Sequence, residues 1–403
     1  MASPDRRWAA LALAAALVVI ATATLTPGDA QSTYLNCILC GEQGLGDAIA
    51  NVALFLPLGA ALAALGVPGS RRLLAAVLLS CAIEGLQATV IAGRDASAGD
   101  VLCNGTGAAL GGWLIQYARA WIRPRTGVRR TLAALGAGAA VAVVAATGAL
   151  TQPSFPSDAL WGQWTAQFAN LEWYRGHVRS ARLSGMALPS RRLDAPGVVQ
   201  RALLGGVPLV VRFDAGPPPS RLAPVFSIFD GQQHMVMMVG ANGSDLELRT
   251  RQRAVRARLV APSYGVPGAL AGVGVGRSVR LVVYRDGATW CVTVDGKPWC
   301  GLGTTPGGGW RLLVDGLSLP AVAAPLLDGL WMMGLLAAAT FWASGRAAWL
   351  IGAAVLLAIG AVLPGVAGLA APPLLEWTGG AAGVVLGILL RQWADRSAPA
   401  AAS

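Results

Sequence analysis

Eight apolar stretches constrain this chain more than anything else in it. About 20 residues at ~1.5 Å per residue cross ~30 Å of hydrocarbon. Five such stretches precede residue 152, at 8–26, 47–66, 72–92, 100–118 and 131–150. Three more follow residue 322, at 324–343, 347–368 and 373–390. The pattern predicts a polytopic α-helical membrane protein of about eight spans, divided by an insert. Composition agrees, since 13% of residues are charged against roughly 25% in an ordinary soluble domain. Disordered, collagenous and purely soluble classes are thereby excluded. Two His and six Cys exclude a Cys/His-rich metal module, and no metal or cofactor is implied.

The net charge of +11 comes from 30 Arg and a single Lys, Lys297, so position carries the information. With eight spans both termini lie on one side. Arg6, Arg7, Arg71, Arg72, five Arg between 119 and 130, Arg346, Arg391 and Arg396 share that side, against Arg94 in the short loops opposite. The positive-inside rule then places both termini in the cytoplasm and residues 152–322 outside it. An alternative for the first span is a signal peptide cleaved near Gly28-Asp29-Ala30, which leaves the other orientations unchanged.

Residues 152–322 change character. Apolar runs at 207–213, 225–229, 235–239 and 280–283 are separated by Gly, Pro and Asp-Gly turns, the pattern of an all-β sandwich. Asp295-Gly296 is a strong two-residue hairpin turn. Counting back pairs Val294 with Lys297, Thr293 with Pro298 and Cys291 with Cys300. Pro298 then needs no ladder N–H, and the cysteines come within disulfide reach, as suits an oxidising compartment. Two free buried thiols are the alternative. Cys37-x-x-Cys40 precedes the second span without the βαβ context of a redox motif, so a local disulfide or an exposed pair is expected. His177 and His234 have no evident ligand cluster.

Arg249, Arg251 and Arg253 alternate, which on a strand gives one basic face. Either that face binds a polyanion or it is merely solvated. Nucleic acid is not expected on this side of a membrane. The strand-turn runs Val225-Phe226-Ser227-Ile228-Phe229-Asp230-Gly231, Asp245-Leu246-Glu247-Leu248 and Val279 to Gly287 leading into Val292 to Gly296 resemble laminin-G-like, concanavalin A-like jelly rolls. That resemblance implies binding of glycans or proteins. Hydrolases of this fold cluster carboxylates on one strand, and no such cluster stands here, so a binding module is expected rather than an enzyme.

The spans themselves carry polar residues, which are costly in hydrocarbon and read by default as functional. Asp47, Asn51, Phe55 and Gly59 recur every fourth residue beside Pro57. Glu84 and Gln87 share a face, and Asp100, Asn104, Gly107 and Gly111 form one stripe. Span direction places Asp47, Asn51, Glu84, Gln87, Asp100 and Asn104 in the outer half, with Arg94 in the adjacent loop. Cys81 and Cys103 read as small apolar filler.

The blocks Asn51-Val52-Ala53-Leu54-Phe55-Leu56-Pro57-Leu58-Gly59, Ser80 to Gln87, and Arg94 followed by Asp100 to Gly111 resemble the VanZ family of bacterial membrane proteins. The family is named for a protein that raises resistance to a glycopeptide antibiotic. The resemblance implies a bacterial inner membrane and a role in envelope biogenesis or antibiotic sensitivity. The insert and the three later spans depart from the short family core.

Three regions are therefore expected: a VanZ-like part (1–151), a sandwich (152–322) and a C-terminal three-span part (323–403). Glu376, Gly380, Gly383 and Gly387 repeat the spacing of Asp100, Asn104, Gly107 and Gly111, and Asp328 sits like Asp47. Spans six to eight thus read as a degenerate copy of spans two to four, or as chance in a chain with 52 Gly. Three functions stay open. The cluster binds an envelope glycan, glycolipid or lipid-linked precursor; or it locks helices together; or Glu84 or Asp100 serves as a general base on a lipid-linked substrate. Membrane lipids are the expected surroundings, and nothing indicates the oligomeric state.

Overall fold

A computed structural model describes residues 6–26, 41, 43–91, 96–168, 171–314 and 323–396. Seven helices are long and apolar enough to cross a membrane. They are α1 (Arg6–Thr24), α2 (Gly44–Ala64), α3 (Gly69–Thr89), α5 (Thr126–Leu150), α6 (Ala323–Phe341), α7 (Gly345–Ala367) and α8 (Leu374–Arg396). The remaining expected span, α4 (Ala98–Gln116), is a helix of 19 residues. Asp100, Asn104, Thr106 and five glycines make it less apolar than the others. Large apolar side chains such as Leu11, Leu78, Leu135, Leu350 and Val366 point outward. That is the inverse of a water-soluble bundle and fits a lipid surround.

Glycine decides how the helices meet. A Cβ built on Gly107 would lie 2.2 Å from the Val52 carbonyl oxygen, and one on Gly111 would lie 1.9 Å from that of Leu56. Only bare backbone therefore lets α4 press onto α2, and Gly59 answers from α2 against Ala108. In hydrocarbon there is no hydrophobic gain between helices, so close backbone contact of this kind supplies the packing energy.

Between α5 and α6 the chain forms strands that include β1 (Leu160–Trp164), β2 (His177–Leu183), β3 (Met186–Ala187), β7 (Asp245–Thr250), β8 (Tyr264–Val266), β10 (Thr289–Val294) and β11 (Lys297–Leu302), and with the four named below they build two antiparallel sheets, β1-β5-β6-β7-β8 and β11-β10-β9-β4-β2-β3. This is a β-sandwich, consistent with the expected jelly roll. The apolar runs become β4 (Leu209–Asp214), β5 (Ala223–Asp230), β6 (Met235–Asn242) and β9 (Ser278–Asp286). β5 is buried along its whole length, and Phe213, Phe226, Ile228, Leu281 and Val292 join one core between the sheets. Truncating one such Phe to Ala costs about 3–5 kcal/mol.

The last hairpin follows the counted register: Val294 faces Lys297 and Thr293 faces Pro298. Asp295 and Gly296 both have positive φ, 49° and 89°, the signature of a type I′ turn. Beyond Val292 and Trp299 the register shifts, and Cys291 is disulfide-bonded to Cys300 with Cα atoms 4.1 Å apart. Cys37 and Cys40 lie outside the described residues.

The sandwich is docked onto the bundle rather than hung from it. Gln152 Nε2 donates to the carbonyls of Gly148, Ala367 and Gly368, while Arg285 donates to Gln152 Oε1 at 3.0 Å. The Ala370 N–H reaches the Thr304 carbonyl at 2.9 Å. On the other half, the N–H groups of Leu45 and Gly46 at the start of α2 donate to the Arg258 carbonyl, at 3.0 and 3.2 Å. At the far end of the bundle arginines hold helix ends together. Arg123 donates to the Ala394 carbonyl at 3.0 Å, Arg391 to that of Ile122 at 2.6 Å, and Arg391 pairs with Asp395.

Candidate functional site

The polar residues of α2, α3 and α4 meet near the sandwich end of the bundle. Ser97 caps α4, its Oγ accepting from Gly99 N–H at 3.1 Å, as small polar residues do at helix starts. The Ser97 N–H donates to Glu84 Oε2 at 2.7 Å, so Glu84 ties the end of α3 to the start of α4. One turn further in, Asn104 Nδ2 donates to Ser80 Oγ at 2.8 Å. Asp100 is hydrogen-bonded to the Asn51 side chain and lies within electrostatic reach of both Asp47 and Glu84. Gln87 turns away from Glu84 and donates to the Thr24 carbonyl of α1 at 2.9 Å. The structure thus brings together Asp47, Asn51, Glu84, Asp100 and Asn104, and uses Gln87 to attach α1. Arg94 lies outside the described residues.

Asn104 and Gln87 are buried, 2% and 8% exposed, yet Asn104 Oδ1 and Gln87 Oε1 have no hydrogen-bond partner. A buried acceptor without a donor is costly, and in hydrocarbon no water repays it. Ser80 was not singled out by spacing, because a lone serine in an apolar helix carries no signal until its partner on α4 is known. Cys81 is exposed on the bundle surface and Cys103 is partly buried.

The arginine face of the sandwich is corrected by the strand boundaries. β7 (Asp245–Thr250) ends before Arg251, and Arg253 opens a short helix, Arg253–Arg256. Arg249, Arg251 and Arg253 therefore do not share one strand face. Arg249 pairs with Glu247 at 2.7 Å and Arg251 with Asp230 at 2.6 Å, so both charges are locally matched. Asp230 also accepts from the N–H groups of Gln232 and His234, each at 2.9 Å. Burial acts to raise its pKa, and these donors with Arg251 more than offset it, so the carboxyl sits below its usual range. His234 also faces Asp230 at 3.2 Å, and His177 begins β2 (His177–Leu183). Among the described residues no group of three or more His, Cys, Asp or Glu is placed to hold a metal ion.

An open groove runs along β1 (Leu160–Trp164) at the edge of its sheet, lined by Trp161, Gln163, Trp164, Trp173, Ser190 and Arg191. Trp161 and Trp173 are 42% and 55% exposed. Two exposed indoles beside amide, hydroxyl and guanidinium groups present apolar faces and hydrogen-bond donors together. The sequence hides this platform, because Trp161 and Trp173 lie on separate segments joined only by folding.

The helices, their glycine-mediated contacts and the docked sandwich define a multi-pass membrane protein with a β-sandwich region. Residues 8–119 match the model of the VanZ/LLP1 family, so that part of the chain is a VanZ-like domain, and the polar cluster falls within it. No curated protein matches the chain, and no solved structure does.

Proposed function

We propose that this protein is a bacterial inner-membrane receptor for an envelope glycan, glycolipid or lipid-linked polymer precursor, acting in envelope biogenesis or in sensitivity to glycopeptide antibiotics. The single observation that carries the reading is the convergence of Asn51, Glu84, Asp100 and, one turn further in, Asn104 in the VanZ-like helices, with the buried Asn104 Oδ1 left unmatched. The arginine-rich helix ends support a cytoplasmic placement of both termini, which puts the cluster and the sandwich on the outer side. The groove bearing Trp161 and Trp173 is the surface of the sandwich best suited to a sugar ring, whose C–H face stacks on an indole while its hydroxyls meet Gln163 and Arg191.

The competing reading makes Glu84 a general base. Glu84→Gln, compared for protein yield and for envelope phenotype, separates the two. A receptor keeps normal yield and loses affinity in proportion to phenotype. Turnover of a lipid-linked substrate that disappears in the variant while binding persists would establish the enzyme instead. Trp161→Ala in the full-length protein is expected to abolish retention on immobilised envelope polysaccharide, and unchanged retention would remove the groove from the mechanism.

A further inference from the structure

The two ends of the helical bundle carry opposite charge. The helices alternate in direction, so α1, α3, α5 and α7 start at the end away from the sandwich, and α2, α4, α6 and α8 finish there. Twelve arginines lie at or beside those helix ends. The single described acid among them is Asp395, and Arg391 pairs with it. The other acids of the eight helices, Asp47, Glu84, Asp100, Asp328 and Glu376, all stand toward the sandwich. Arg123 and Arg129 donate to the Ala394 carbonyl and the Ser344 hydroxyl. Arg71, Arg72, Arg119, Arg125, Arg130 and Arg346 have no hydrogen bond or ion pair among the described residues. All of these but Arg72 are exposed.

Arg72 is held in place instead of splaying into solvent. A Cβ built on Gly112 of α4 would lie 2.8 Å from Arg72 Cζ and 2.9 Å from its Nε. The bare glycine therefore leaves a slot between α3 and α4 that the half-buried guanidinium fills. A fixed guanidinium without an acceptor is a ready partner for a phosphate oxygen. Indoles stand at the same level. Among the described residues of the helices, the exposed tryptophans are Trp8, Trp113, Trp349 and Trp393, each more than half exposed. Trp8 follows Arg7, Trp113 follows Gly112, and Trp349 and Trp393 stand three and two residues past Arg346 and Arg391. At the sandwich end Trp377 instead packs on Gly360, and Trp331 lies beside Gly309. Exposed indoles settle at the head-group level of a bilayer. The turns 65–68 and 342–344 are short, and between α4 and α5 stands only the five-residue helix Ala118–Ile122 with its flanking residues. No described segment carries these arginines clear of the head-group plane.

We propose that this end of the bundle is a binding surface for anionic phospholipid head groups, with Arg71 and Arg72 beside Gly112 as its best-defined seat. A guanidinium gives a phosphodiester two parallel hydrogen bonds, and each basic residue at an anionic membrane surface strengthens attachment roughly fivefold. A zwitterionic head group brings its own cation and gains far less. A soluble polyanion fits the surface poorly, because the cations are interleaved with indoles in the lipid plane. The assignment goes beyond the glycan reading and does not depend on it.

The test uses the full-length protein in nanodiscs of equimolar phosphatidylcholine and phosphatidylglycerol. Lipids still bound after transfer to detergent are counted by native mass spectrometry. Phosphatidylglycerol is expected to be retained over phosphatidylcholine by about tenfold or more, a preference that shrinks as salt rises. Arg71→Gln combined with Arg72→Gln should lower it about fivefold or more, whereas Arg72→Lys, which keeps the charge, should preserve most of it. Arg119→Gln combined with Arg346→Gln serves if the first pair does not yield folded protein. Arg182→Gln, on an exposed position of the sandwich, should leave the preference unchanged. Equal retention of the two lipids by the wild type overturns the proposal. So does a preference untouched by the bundle variants, or one lost in Arg182→Gln, which would move the anion site to the sandwich. Binding of a DNA duplex to protein in pure phosphatidylcholine discs, lost in the same bundle variants, overturns it too, because a soluble polyanion would then be the occupant.

Discussion

The two helical halves solve one packing problem in the same way and one polar problem in opposite ways. In both, glycines bring a helix against its neighbour's bare carbonyls, at Gly107 and Gly111 in the first and Gly383 and Gly387 in the second. In both, an acidic residue stands near the start of each packed helix. In the first half Asp100 is bonded by Asn51 and Glu84 by the Ser97 N–H, both from the same helical unit. The second borrows Gly307, Trp310 and Arg311 from the chain leaving the sandwich. Helix packing in lipid is thus a property of the unit, whereas satisfaction of buried charge depends on what the rest of the chain brings to it.

The largest effect is expected from the glycines. Gly111→Ala sets a Cβ 1.9 Å from the Leu56 oxygen and has no flexible neighbour to move, so α2 and α4 must separate. A loss of about 1–3 kcal/mol or more should appear as collapsed yield on size exclusion in detergent. Gly387→Ala meets first the Thr340 hydroxyl at 2.2 Å, a side chain that can turn away, and then the Ala337 oxygen at 2.6 Å. It should be milder, and equal losses would break the comparison at its packing level.

Next comes the acidic pair. Asp328→Asn removes the charge that Arg311 meets at 2.6 Å, at a cost of about 2 kcal/mol, read as a lower unfolding temperature of the full-length protein. Asp100→Asn should cost less, because its amide still bonds to Asn51. A reversed order would show that the first cluster, not the second, holds the fold.

The smallest effect concerns the sandwich. Asp230 has its folded pKa depressed below the ordinary 3.8, so its contribution is present above that value and lost as pH falls through the lower, folded one. Arg251→Ala should therefore flatten the acid limb of stability below about pH 4 and lower neutral stability by about 1–2 kcal/mol, measured by thermal unfolding between pH 2 and 7. An unchanged acid limb would remove Arg251 from this role.

Much of this was legible in the residues. The spans follow from hydropathy and the hairpin from Asp295-Gly296, both signals confined to a short window. Where a signal needed several windows it faltered. The alternation of Arg249, Arg251 and Arg253 suggests a single strand face, but β7 stops at Thr250, because the chain must turn back to meet Gln152, whose carbonyl accepts the Arg253 N–H. Glu84 and Gln87 share a helical face by spacing, yet they reach different neighbours, Ser97 and Thr24.

By itself the sequence determined which segments enter the membrane, which form strands, where the β10–β11 hairpin turns and that Cys291 meets Cys300, because each depends on local periodicity or on a turn of fixed geometry. Tertiary structure alone decided that Ser80 answers Asn104, that Trp161 and Trp173 share a groove, and that Arg311 enters the acidic pair of the second half. Those choices depend on how helices rotate and dock against segments far away in the chain, and a window of neighbouring residues carries no record of that rotation.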